Sequence, residues 1–449
     1  MDKNATLKEL ERVLAFLDAD ELTPEQAKTI TEDTEYNYDH YFNPGWMDFR
    51  KSCTPDGTTM EWADDPEHVM DVNGVPYIDL IGGFGTYICG HRNPEILHYV
   101  KKQMDRLTLS STELLEPLRG YLSEVMAMIT PGDLQYTYLT NGGAEAVEMA
   151  IKLAILYNGP GFFIATTGGF HGKSIGAVSL TANPSFHGPY IGNLMECVRH
   201  IKFGDADQLE NAIKNLQAVG EKVTAFIIEP VQGESGCHVP YDGYLKDCRE
   251  ITKKYGVLLI LDEIQTGLGR TGYLWRSMKE DVTPDIMTFG KVSSGGIIPI
   301  TGIVSRKEIF ENSGLIENPF ILGSPTFGGN ALACSSTLGT INYILKNDIP
   351  KMAQEKGDYY MKSLVEMQGR HKILAELRQA GLLIAMEFET AELGWEVSKE
   401  CFARQVMVAG TLNNARVIRI EPPAIQSYET IDRALQVIDE AITAVEAKA

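Results

Sequence analysis

No run of about 18 consecutive apolar residues occurs in the chain, so the sequence offers no membrane-spanning helix. Cysteine is sparse. There are seven in 449 residues, an odd number, and no two form a CxxC pair. That argues against a disulfide framework or a structural zinc site and predicts reduced thiols in a cytoplasmic protein. The first residues lack a cationic segment followed by an apolar block, so no secretory leader is expected. Positive charge is also in short supply: 40 Lys and Arg against 61 Asp and Glu, a formal charge of −21. Such a surface repels phosphate backbones and speaks against a nucleic-acid partner. It leaves room for one small basic pocket that takes an anionic cofactor. What remains is an ordinary soluble composition, 44% hydrophobic and 22% charged, long enough for two or three domains.

Leu7, Leu10, Leu14 and Leu17 have helical spacing and predict an N-terminal helix to about Asp20. "VMDVNGVPYIDL" predicts a hairpin around Asn73-Gly74. From about residue 95, short apolar runs alternate with helical stretches: "YTYLT" (136–140), "FFIAT" (162–166), "TAFIIEP" (224–230), "VLLILDE" (257–263), "IMTFGK" (286–291) and "TGIVS" (301–305). Runs that are apolar throughout belong to strands covered on both faces. The expected fold class is therefore α/β: a large domain with a mostly parallel sheet between helices, plus a smaller α+β domain built from both chain ends. The expected boundaries are 1–79, 80–335 and 336–449. In the last part, "LLIAMEFE", "VMVAG" and "RVIRIEPP" read as strands. Residues 427–449 read as an amphipathic helix with Ile431, Leu435, Ile438, Ile442 and Val445 on one face.

Ligands of open α/β sheets bind outside the carboxyl ends of the strands, and the chemistry-bearing residues lie at such ends. After "YTYLT", Asn141, Gly142 and Gly143 open a helix and predict an anion cup of free amides. After "FFIAT" comes "TGGFHGKS", which nearly matches a phosphate-binding P-loop but has Thr167 where that pattern needs glycine. Phe170, beside His171, offers instead a face to stack on a flat ring. "EPVQGESG" puts Glu229 and Glu234 at the mouth, and "DEIQTG" puts Asp262, Glu263 and Gln265 there. A carboxylate after five apolar residues is buried and wants a cationic partner. Lys291 ends its strand beside the small residues "VSSGG" and is a candidate Schiff-base lysine. The bland alternative is a structural ion pair with Asp262 or Glu263. One cofactor asks for all these groups together, pyridoxal 5′-phosphate (PLP): a lysine for its aldehyde, a carboxylate for its ring nitrogen, amides for its phosphate and a flat cover.

The sequence resembles the class III aminotransferases of fold type I, most closely their putrescine (diamine) subgroup. The motifs that carry the resemblance are "LIGGFGTYICGHRNP", "GFHGKS", "EPVQGE", "LDEIQTGLGRTG" with a lysine 29 positions after Asp262, "TFGGNALAC" and "VAGTLNNARVIRIEPP". The resemblance implies catalytic roles for Lys291 and Asp262. It implies cofactor contacts from Gly142, Gly143, Ala144, Phe170, His171 and Gln265, and from Thr326 of a neighbouring subunit. It implies substrate contacts from Arg419, Glu234 and Glu229, with Arg419 binding the carboxylate of a 2-oxo acid and Glu234 masking it otherwise, and no metal. The implied assembly is a homodimer with shared sites, or a higher oligomer of it. The implied reaction moves an amino group from a terminal primary amine of putrescine type to a 2-oxo acid, 2-oxoglutarate being the expected one. Ornithine, acetylornithine or an ω-amino acid are alternative donors. A P-loop nucleotidase and a catalytically silent vitamin B6-binding paralogue are remoter readings.

Two departures from the family pattern stand out. The phosphate cup reads "NGGAE", where Gly142 and Ala144 replace hydroxyl-bearing residues, which predicts weaker retention of the cofactor. Ser293 and Ser294 follow the lysine and are expected to place hydroxyls near the substrate entrance.

Overall fold

The structure, a computed structural model, describes residues 2–54, 59–111 and 113–448. Three sheets organise it. The first holds strands β1 (Glu61–Asp64), β2 (His68–Asp71) and β3 (Pro76–Asp79), joined by β13 (Val406–Met407), so it draws on both ends of the chain. β2 and β3 are the expected hairpin: Gly74 takes φ +77°, which glycine adopts without strain, and Asp71 caps the turn by accepting from the Asn73 and Val75 amides.

The central sheet has seven strands: β4 (Leu134–Thr140), β5 (Phe162–Thr166), β6 (Val198–Ile201), β7 (Val223–Ile228), β8 (Leu258–Asp262), β9 (Ile286–Phe289) and β10 (Thr301–Arg306). Their order is β4-β10-β9-β8-β7-β5-β6; only β10 runs antiparallel to its neighbours. Every residue of β7, β8 and β9 is buried, as expected of strands covered on both faces. Each large apolar side chain so covered contributes about 1.5–3 kcal/mol. Sequence reading missed β6, whose Arg199 and His200 break the apolar run.

The third sheet, β11 (Leu374–Ala380), β12 (Leu383–Phe388), β14 (Ala409–Gly410) and β15 (Val417–Ile420), is antiparallel in the order β11-β12-β15-β14. β11 also escaped the sequence reading, because Glu376, Arg378 and Gln379 interrupt "LAELRQA" and only its two ends are buried. The C-terminal helix Tyr428–Glu446 buries all five residues assigned to its inner face. The N-terminal helix Lys3–Leu17 forms as expected, but Leu7, Leu10, Leu14 and Leu17 stay exposed in the single chain.

The parallel direction of β4, β5, β7, β8 and β9 is what makes the site. Their carboxyl ends carry, in turn, Asn141–Gly143, the loop 167–174, Glu229, Asp262 and Gly290-Lys291 to one edge of the sheet.

Candidate active site

A cavity of about 250 Å³ lies at that edge, lined by residues of all five strand-end segments. Among them are Gly143, Ala144, Phe170, His171, Glu229, Asp262, Gln265 and Lys291. A second cavity of about 290 Å³ adjoins it through Gly143, Lys291 and Thr301 and adds Gly142, Tyr87 and Ser294.

Asp262 is the anchor. One carboxylate oxygen is 2.7 Å from His171 Nδ1; the other accepts from Thr288 Oγ1 at 2.8 Å and the Ile264 amide at 3.2 Å. Burial disfavours its charge, but the bonds from His171 and Thr288 outweigh that and hold the carboxyl below its ordinary range. Burial likewise opposes a charge on His171, yet Asp262 lifts its pKa above the ordinary value. His171 Nε2 is buried and has no hydrogen-bond partner among the described residues. Glu263, by contrast, turns away: it accepts from Thr266 Oγ1 and from the Arg276 and Ser277 amides and is structural.

Lys291 opens a short 3-10 turn at φ +47°, a left-handed conformation in which a non-glycine residue is strained. Among the described residues it forms no ion pair with Asp262 or Glu263, so the structural-pair alternative does not hold. Ser294 lines the second cavity, whereas Ser293 lines neither. Ser293 Oγ donates to the Ile300 carbonyl and Ser294 Oγ to the Lys291 carbonyl, at 2.8 and 2.7 Å; they brace the strained turn.

The helix Gly143–Asn158 starts at the cavity. Its own Glu145 carboxylate accepts from the Asn141 and Gly142 amides at 2.8 and 3.2 Å. The cup therefore rests on Gly143 and Ala144, whose amides lie in the first turn, beyond reach of any intrahelical carbonyl. Gly142 contributes its carbonyl instead, which accepts from Thr301 Oγ1 at 2.9 Å. Thr301 was not singled out from sequence; a threonine opening a strand carries no special signal.

Glu229 sits beneath the cover. Its two oxygens accept from the amides of Phe170 (2.8 Å) and Gly233 (3.2 Å), and burial pushes its pKa up to about 7. It thereby ties the loop of Phe170 to the turn that carries Glu234. Lys173 of the P-loop-like segment is exposed with its ammonium over the Phe186 ring, 4.3 Å from the centroid, so it is not part of the cavity.

Arg419 and Glu234 form a buried pair beside the cavity, Nη1 to Oε1 at 2.8 Å. Burial opposes the Glu234 charge, while Arg419 and then Lys291 lower its pKa below the ordinary value. Glu421, which was not singled out from sequence, completes this cluster. It takes Arg419 Nε at 2.9 Å and, with its other oxygen, Gln265 Nε2 at 2.9 Å. Gln265 is thus engaged by Glu421 at the cavity wall. Phe84 lies over the guanidinium, 5.6 Å from ring centre to Cζ, and itself has φ +56°. Thr326 is exposed and lines neither cavity.

The class III aminotransferase family pattern matches residues 64–442. The chain belongs to that family. It is 41% identical over 443 residues to the putrescine aminotransferase of Pectobacterium atrosepticum, covering 96% of this chain and 94% of that protein. Its fold is similar to the ornithine aminotransferase of Toxoplasma gondii ME49 (29% identity, TM-score 0.81, 87% of this chain and 92% of that one). It is also similar to a transaminase from the marine bacterium Virgibacillus (27% identity, TM-score 0.85, 94% and 99%).

This class III aminotransferase is a PLP-dependent enzyme. The donor set fits that cofactor: an ionised buried carboxylate, a lysine at an adjoining strand end, a flat phenyl group and a helix start with free amides share one cavity.

Proposed function

We propose that the enzyme transfers the amino group of a putrescine-type diamine to 2-oxoglutarate, giving an amino-aldehyde and glutamate. The observation that carries this reading is the Arg419–Glu234 pair. It presents a cation for the carboxylate of an acceptor, yet neutralises that cation when the donor carries no carboxylate. The 41% identity to a putrescine aminotransferase supports the donor class.

Bound PLP supplies an aldehyde that carries the amino group and a ring that takes up electrons. The chain's residues do the rest. Lys291 Nζ holds the cofactor through its aldehyde, then removes the proton from the amine-bearing carbon of the donor and returns one on the other side of the transfer. Asp262, kept ionised by His171 and Thr288, holds a proton on the ring nitrogen. Phe170 covers one ring face and the Gly143 and Ala144 amides receive the phosphate. Gln265, held at the cavity wall by Glu421, would contribute its amide to the cofactor ring.

The functional unit in this reading is a homodimer, with Thr326 completing the phosphate site of the neighbouring subunit. In its support, Thr326 and its chain neighbour Phe327 are exposed, Phe320 and Ile316 of the same stretch are exposed too, and Leu114 and Leu115 are 78% and 100% exposed, apolar surface that a second copy would cover. The test is a donor panel with 2-oxoglutarate. Putrescine is expected to give the highest kcat/KM and Lys291→Ala no turnover; preference for ornithine, acetylornithine or an ω-amino acid overturns the donor assignment.

A further inference from the structure

The two carboxylates on Arg419 are held very differently. Glu234 belongs to the turn after β7, and its second oxygen accepts, among the described residues, from the Leu412 amide alone, at 3.1 Å. Glu421 lies two residues beyond Arg419 along the β15 run, hence on the same face. Its amide donates to the Leu80 carbonyl at 2.8 Å. A Cβ on Gly82 would lie 2.0 Å from the Glu421 carbonyl oxygen, and one on Gly85 3.0 Å from its Oε1, so the residue is seated against bare backbone. It is 1% exposed. Arg270, buried and donating to the Gly85, Leu382 and Pro422 carbonyls, adds a second positive charge near it. Glu421 is therefore the more tightly seated of the two, while the Glu234 carboxylate hangs from a turn on one amide besides Arg419.

The guanidinium is therefore part-assigned. Nε belongs to Glu421, Nη1 to Glu234, and Nη2 is buried without a hydrogen-bond partner among the described residues. A carboxylate ligand needs two parallel N–H bonds from one edge. With Nε retained, only the Nη1–Nη2 edge can serve, and only after Glu234 lets go.

We propose that Glu421 is a specificity-determining positioning residue. It is the permanent partner that leaves Arg419 a single ligand edge and offsets part of its charge, so that carboxylate ligands bind less tightly and carboxylate-free amines compete as donors. This rests on the proposed role of Arg419, but not on the identity of the amine.

The test uses holoenzyme and glutarate, an unreactive dicarboxylate, titrated by calorimetry into the wild type and Glu421→Gln. Glutamine keeps an acceptor for Arg419 Nε and removes the charge, and Gln265 turns its amide to accept from the new NH2. Glutarate is expected to bind about tenfold tighter to the variant, because a buried like charge is gone. The KM for 2-oxoglutarate falls with it, kcat changes less, and the ratio of kcat/KM for ornithine over putrescine rises. Damage to the fold alone would weaken glutarate. Unchanged or weaker binding overturns the proposal, and if Glu421→Gln gives no soluble holoenzyme, Glu421→Ala removes the same charge and carries the same expectation. Absence of glutarate binding to the wild type overturns the acceptor reading and this one together, whereas a different donor leaves the glutarate result standing.

Discussion

Two buried charge clusters flank the reacting centre, and they are built to opposite ends. At the Asp262 end one carboxylate has His171, Thr288 and the Ile264 amide, and both oxygens are engaged by fixed partners. At the Arg419 end one cation is shared between two carboxylates and keeps a buried nitrogen without a hydrogen-bond partner among the described residues. The first arrangement holds a single charge state through the reaction. In the proposed reaction the second serves exchange, Glu234 giving way when a ligand carboxylate arrives. A site that binds one cofactor permanently and two unlike substrates in turn needs both.

The largest effect that would sharpen this contrast is expected at the fixed end. Asp262→Asn removes the charge that protonates the ring and leaves His171 without its acceptor. We expect kcat to fall by about a hundredfold or more with either substrate, measured in separate half-reactions. Equal rates would show that the fixed end does no electrostatic work.

At the exchanging end the effect is smaller and one-sided. Arg419→Lys loses the planar fork, so the KM for 2-oxoglutarate should rise by about thirtyfold, while the putrescine half-reaction changes little. A matching loss with putrescine would erase the distinction between the two ends.

A smaller change concerns the cup. A Cβ at Gly142 meets nothing within 4 Å, and its backbone is extended, so Gly142→Ser fits. One regained hydroxyl contributes about 1 kcal/mol, a severalfold slower loss of cofactor on dialysis. Ala144→Thr is the poorer repair, because Ala144 already abuts Gly172. Unchanged retention in Gly142→Ser would show that the missing hydroxyl is without cost.

The smallest is a pH effect. Glu229 titrates near 7 in the fold against an ordinary 4.5, because burial penalises its charge. The folded chain then binds more protons than the unfolded one between those values, so this group's contribution to stability is full at the acid side and is lost as pH rises from about 4.5 to 7. Glu229→Gln should flatten the melting temperature over that window; parallel curves would contradict the assignment.

Much of this was legible in the sequence for a local reason. Lys291, Asp262, Phe170 and the glycine turn all sit at strand ends, and apolar runs reveal strand ends directly. β6 and β11 were not legible, because charged residues on their exposed faces mask the pattern. Glu145 filling part of the phosphate cup was missed because a helix-start glutamate reads equally as an ordinary cap. Glu421 was visible in principle: the alternation in "VIRIE" places it on the face of Arg419. Its second bond, to Gln265, joins residues 156 positions apart and required the fold.

The most direct test of the central claim, that Lys291 and Asp262 hold a pyridoxal cofactor which accepts nitrogen from a diamine, is the visible absorption of the purified holoenzyme. Putrescine should bleach the band and 2-oxoglutarate restore it, with borohydride-trapped cofactor found on Lys291. A spectrum indifferent to both substrates, or an adduct on another lysine, would contradict it.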